Sequence, residues 1–70
     1  MNWEEIMIQI CEFYEYEIKQ NNGKIRISNF DNNTYVYNSA EELVNDWKNI
    51  CKTINKDYTE NGLEKPFKWL

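Results

Sequence analysis

The run Ser39-Ala40-Glu41-Glu42-Leu43-Val44-Asn45-Asp46-Trp47-Lys48-Asn49-Ile50-Cys51 constrains this chain more than any other stretch. A serine suited to cap a helix is followed three residues later by Glu42, the reciprocal capping pattern. Apolar side chains recur at Ala40, Leu43, Val44, Trp47, Ile50, Cys51 and Ile54, one stripe of an α-helical repeat. The helix is expected from about Ala40 to Lys56. It has a single apolar face, so the rest of the chain must supply the surface on which it packs. Its acids (Glu41, Glu42, Asp46) come early and its lysines (48, 52, 56) late, in line with the helix dipole. None of these residues carries chemistry.

Upstream, Asn2 is placed to cap a first helix, with Glu4 and Glu5 in its first turn. Trp3, Ile6, Met7, Ile10, Phe13 and Tyr14 fall on one stripe. The end of this helix has two readings. Tyr14-Glu15-Tyr16-Glu17-Ile18 alternates like a half-buried strand, yet Ile18 also continues the helical stripe. Asn21-Asn22-Gly23 favours the strand, because Asn and Gly tolerate the positive backbone angles of a tight turn. With Asn21 and Asn22 in the turn, Ile18 would face Ile25, Glu17 would face Arg26 and Tyr16 would face Ile27, pairing apolar with apolar and acid with base. One long helix from Trp3 to Asn22, capped by Gly23, is the competing arrangement.

Lys24-Ile25-Arg26-Ile27-Ser28 alternates with its isoleucines to the core and its basic residues to water. Asp31-Asn32-Asn33 signals a second turn, and Thr34-Tyr35-Val36-Tyr37 follows as a strand. The predicted fold is α+β, in the order α-β-β-β-α: a small antiparallel meander with two helices on one face. Residues 1–70 form one domain. Its last segment, 57–70, holds Leu63, Phe67, Trp69 and Leu70, expected to pack back on the domain, with a tail free to meet a partner as the alternative.

A chain of 70 residues lies near the lower limit for a self-sufficient core. Three Trp, three Phe and five Tyr offset this, because large aromatics bury much apolar area for each residue ordered. The net charge of −4 disfavours direct nucleic-acid binding, which needs cations to displace counterions from phosphate. Cys11 and Cys51, the only cysteines, sit on apolar faces and read as buried thiols, with a disulfide between the helices as the alternative. No metal and no cofactor is expected. There is neither a signal-peptide pattern nor a membrane-length apolar run, so the expected location is the cytoplasm.

The chain has no histidine to act as a general base, no exposed thiol on this reading, and no Gly-rich phosphate loop. It is therefore not expected to be an enzyme. Two surfaces are candidates for partner binding. On the first helix Glu4, Glu12 and Glu15 share a side with Ile8 in their midst, which is either a solvated helix face or a recognition patch for a basic surface. Glu15 leaves this set if the strand reading holds. On the third strand Tyr35 and Tyr37 share a face opposite Val36. If the tyrosines turn outward, with Phe30, they invite a dimer or a partner. A stripe of Lys48, Lys52 and Lys56, with Arg26, is the basis of a third reading as a nucleic-acid adaptor.

Phe13-Tyr14-Glu15-Tyr16 and Ser39-Ala40-Glu41-Glu42-Leu43-Val44-Asn45-Asp46-Trp47 give the chain a resemblance to small phage and prophage proteins of A/T-rich bacteria. In those proteins an aromatic-rich helix end, a hairpin and a Ser-x-Glu-Glu helix ending in Asp-Trp follow one another. Asn, Ile and Lys, whose codons are A/T-rich, make up more than a third of the chain. The resemblance covers about two thirds of it and departs at Glu15, where a glycine would be more usual. It implies a non-catalytic inhibitor of host defence, similar to anti-CRISPR proteins, that covers a host protein or nucleoprotein with acidic and aromatic surface. A homodimeric structural or regulatory module with no inhibitory role is the alternative.

Overall fold

In the computed structural model, which describes residues 2–70, the chain runs α1 (Trp3–Tyr14), β1 (Glu17–Asn21), β2 (Lys24–Ser28), β3 (Thr34–Tyr37) and α2 (Ala40–Glu60). The strands form one antiparallel sheet in the order β1-β2-β3, with the helices on one face. This is the expected α-β-β-β-α fold.

Both helices start at the expected caps. Asn2 Oδ1 accepts from the N–H groups of Glu4 and Glu5 at 3.1 and 3.3 Å. Ser39 Oγ accepts from the Glu42 N–H at 3.1 Å. Each contact satisfies donors that a helix start leaves unpaired, so both helices begin where a side chain can serve them.

The first helix ends at Tyr14, which settles the choice in favour of the strand. Glu15 adopts the left-handed conformation (φ 59°, ψ 40°), and the Tyr16 N–H closes the end by donating to the Cys11 carbonyl at 2.8 Å. The reversed chain then enters β1.

The hairpin register differs from the expected one. Asn22 and Gly23 form the turn, with φ of 54° and 78°, so Ile18 lies opposite Ile27 and Lys19 opposite Arg26. Two successive positive φ values are what a tight hairpin turn requires, and Asn22-Gly23 meets that need better than Asn21-Asn22. The same faces stay inside, but the acid–base pair of Glu17 and Arg26 is replaced by two facing cations.

The inner face of the sheet supplies Ile25, Ile27 and Tyr37, which join Ile6, Met7, Ile10 and Cys11 of α1 and Leu43, Val44, Trp47 and Cys51 of α2. Fully burying a side chain such as Ile10, Ile27 or Leu43 is worth roughly 1.5–3 kcal/mol. Ile50 departs from the expected stripe; it is 46% exposed.

Helix α2 runs to Glu60, a full turn beyond the expected end at Lys56. The extra turn has something to pack on: Tyr58 meets Phe13 edge-on at 6.2 Å. Its final turn has no basic residue, so Lys48, Lys52 and Lys56 lie along the middle and the dipole argument for them fails. After Gly62 (φ 75°) the chain folds back, and Phe67 becomes a core residue beneath Phe13, their rings 4.9 Å apart.

Candidate interaction surfaces

Helix α1 turns Ile6, Met7, Ile10 and Cys11 inward, so Glu4, Glu5, Ile8 and Glu12 face water. Ile8 is 43% exposed between Glu4, one turn before it, and Glu12, one turn after. None of the three carboxylates around it is held in an ion pair among the described residues. Glu15 does not belong to this face. As the left-handed cap it leaves the helix and lines a depression of about 100 Å³ with Glu17, Ser28, Asn29 and Phe30. The acidic face is thus built from Glu4, Glu5, Ile8 and Glu12.

On β3 the tyrosine side faces the helices and Val36 faces out, 53% exposed. Tyr37 is buried. Its hydroxyl donates to Asp46 Oδ2 at 2.6 Å and accepts from Trp47 Nε1 at 2.9 Å. Burial first, and then the bond to the Asp46 carboxylate, push the Tyr37 phenol well above its ordinary value. It is therefore a neutral linker between sheet and helix, and does not join a surface patch. Tyr35 remains 41% exposed, but one edge packs on Trp47 at 5.6 Å and on Tyr16 at 6.0 Å.

Tyr14 and Tyr16 complete this cluster, 5.1 and 5.7 Å from Trp47. The short chain reversal at Glu15 brings two tyrosines from the end of α1 onto one tryptophan of α2. Burial raises the pKa of both phenols, with Cys51 adding to the effect at Tyr14 and Tyr35 at Tyr16. The Tyr14 hydroxyl is buried without a hydrogen-bond partner among the described residues. Phe30 stands apart at the β2–β3 turn, 93% exposed. Asn29 shapes that turn by accepting from the Asp31 and Asn33 N–H groups at 3.1 and 3.0 Å.

Cys11 and Cys51 are buried free thiols, as expected, and burial pushes each up to about 11. Such thiols stay protonated at neutral pH and are poor nucleophiles. Among the described residues no group of His, Cys, Asp and Glu is arranged to hold a metal ion. No helix among them is long and apolar enough to cross a membrane.

A third surface went unseen in the sequence as a unit. The outer face of the sheet carries Lys19 opposite Arg26, Arg26 opposite Val36, and Lys24, and together with Asn21 and Asn22 they line an open concavity of about 430 Å³. Glu17 lies on the same face, two residues from Lys19. None of the three cations is ion-paired among the described residues. The signal was the spacing of Lys19 from the Asn22-Gly23 turn, which sets Lys19 opposite Arg26 once the turn is placed correctly.

The fold and these surfaces define a small α+β domain with an acidic helical face and a basic sheet face. No protein-family model matches the chain, and no curated protein and no solved structure is similar to it.

Proposed function

We propose that this protein is a non-catalytic binding protein of phage or mobile-element type, a stoichiometric inhibitor of a host defence nucleoprotein that acts in the host cytoplasm. The observation that carries the reading is the α1 face. It presents Ile8 as an exposed apolar centre with three carboxylates around it, Glu4, Glu5 and Glu12, none of them ion-paired among the described residues. An apolar contact ringed by charge suits a basic, nucleic-acid-binding surface: the carboxylates replace phosphates, and the isoleucine supplies desolvated contact area. The lack of histidine and the two buried, protonated thiols agree with a role by occupancy and not by turnover.

Tyr35 contributes at most one exposed edge, and Tyr37 lies inside, so the acidic face is the principal surface. The rival reading, a homodimer built on outward tyrosines, loses half of its patch for the same reason.

The test is a titration into purified RNA-guided effector complexes, with target-nucleic-acid binding as the readout. The expected result is inhibition that saturates at a whole-number ratio of protein to effector. Substituting Ile8→Lys with Glu12→Lys should weaken it by about tenfold or more. Inhibition far below one equivalent, or indifference to the double substitution, would sink the proposal.

A further inference from the structure

We infer that the outer face of the sheet docks the α1 face of a second copy of this chain, giving head-to-tail self-association. The inference rests on the reading of the Ile8 face as a docking surface and adds the partner that this same molecule provides.

The argument starts from an electrostatic oddity. Lys19 and Arg26 are direct cross-strand neighbours on the solvent side, and Lys24 follows two residues from Arg26 along β2, on the same side. Like charges placed opposite one another weaken a strand pair. Glu17 shares this side of β1, but none of the three cations is ion-paired among the described residues, although the chain carries 12 acids to 8 bases. Beside Arg26, on the edge strand, Val36 is 53% exposed and lines the concavity of about 430 Å³. The face thus pairs an exposed apolar residue with a basic row, opposite in sign to Ile8 and its carboxylates.

The two surfaces match in number and in reach. Three cations (Lys19, Lys24, Arg26) face three carboxylates (Glu4, Glu5, Glu12), with Ile8 among the carboxylates and Val36 at the edge of the basic row beside Arg26. Glu4 and Glu12 are separated by about 12 Å along α1. The basic residues span about 5 Å across strands and about 7 Å along β2, and their long side chains extend that reach. A concave sheet receiving a convex helix also suits the shapes.

A nucleic acid fits this face less well. The concavity is lined by no aromatic ring on which a base could stack, Phe30 standing outside it at the β2–β3 turn, and three cations work against a net charge of −4. A second copy meets the opposite situation, because its local carboxylates are what the basic face attracts. The two faces belong to different layers of the fold, one on a helix and one on the uncovered side of the sheet. The contact is therefore heterologous, and each added copy presents the same free faces again.

Sedimentation of the full chain tests this. At low salt the average mass should rise with concentration, and added salt should reverse the rise. Two doubly substituted proteins, Ile8→Lys with Glu12→Lys and Arg26→Glu with Val36→Glu, should each associate at least about tenfold more weakly while keeping wild-type circular dichroism. Mixed together they should form a heterodimer that neither forms alone, because one intact face of each kind remains.

A wild type that stays monomeric at low salt would overturn the inference. So would a mixture that yields no heterodimer, or a closed dimer that the mixture cannot restore. Binding of labelled single-stranded DNA that needs Arg26 and Val36, without any change in protein mass, would assign the face to nucleic acid and overturn it as well. The Arg26→Glu, Val36→Glu protein should still inhibit its effector, so loss of self-association and failure of the proposed function are read separately.

Discussion

The carboxamide of Asn55 pairs with both main-chain groups of Phe67: its Nδ2 donates to the Phe67 carbonyl at 2.8 Å, and its Oδ1 accepts from the Phe67 N–H at 2.9 Å. Among the described residues Asn55 is the one buried polar residue, and this pairing is why burial is tolerated there. It gives the tail the hydrogen bonds that a strand would otherwise supply, and so holds the Phe67 ring under Phe13.

Asn55→Ala leaves a buried N–H and a buried carbonyl unpaired, and should destabilise the fold by about 2–4 kcal/mol. Phe67→Ala should cost about 3–5 kcal/mol through the cavity it opens. The two act through one docked segment, so the double variant should lose clearly less than the sum. Urea unfolding of the four proteins measures this, and full additivity would show that the pair does not act as a unit.

Tyr37→Phe removes the acceptor for Trp47 Nε1, while Asp46, exposed at the surface, is served by water. The expected loss is about 1–3 kcal/mol, with an altered Trp47 fluorescence maximum. Asp46→Asn keeps a group that can accept from the hydroxyl, and should cost less than half as much in the same unfolding experiment.

The two buried thiols predict how stability changes in base. Both titrate at about 11 in the folded protein against 9.0 for an ordinary thiol. The unfolded chain therefore releases these protons first, and stability is complete below about pH 9 and falls as pH rises toward about 11. Each thiol contributes up to roughly 2–3 kcal/mol to that fall. The raised Tyr37 phenol acts in the same direction, above its ordinary value of 10.0. Denaturation midpoints across this range should decline, and Cys51→Val should flatten the slope; an unchanged slope would count against thiol burial as its cause.

Backbone sign gives a paired prediction. Glu15 holds φ 59° at the end of α1, where a side chain is strained, so Glu15→Gly should stabilise by about 1 kcal/mol. Gly23 holds φ 78° in the hairpin turn with open space where a Cβ would sit. Gly23→Ala should therefore destabilise by about 1 kcal/mol through backbone strain alone. Thermal melts that shift in opposite directions are the expected outcome.

The sequence alone determined where the helices begin, which residues face the core on β2, and that the tight turn lies near Gly23. These are local matters: a cap needs one side chain near free N–H groups, and alternation places every second residue on one face. Of the candidate site, Glu4, Ile8 and Glu12 were legible because helical spacing alone brings them to one side. Tertiary structure decided the rest. The expected and observed hairpin registers keep the same residues inside, so hydrophobic pattern could not choose between them, and only the closed turn set Lys19 against Arg26. Which side of β3 turns inward depended on Trp47 reaching Tyr37 across the core, the length of α2 on Tyr58 meeting Phe13 of the other helix, and the place of the tail on Phe67 returning to Asn55 and Phe13. Contacts between distant residues leave no periodic trace, so no reading of neighbours along the chain contains them.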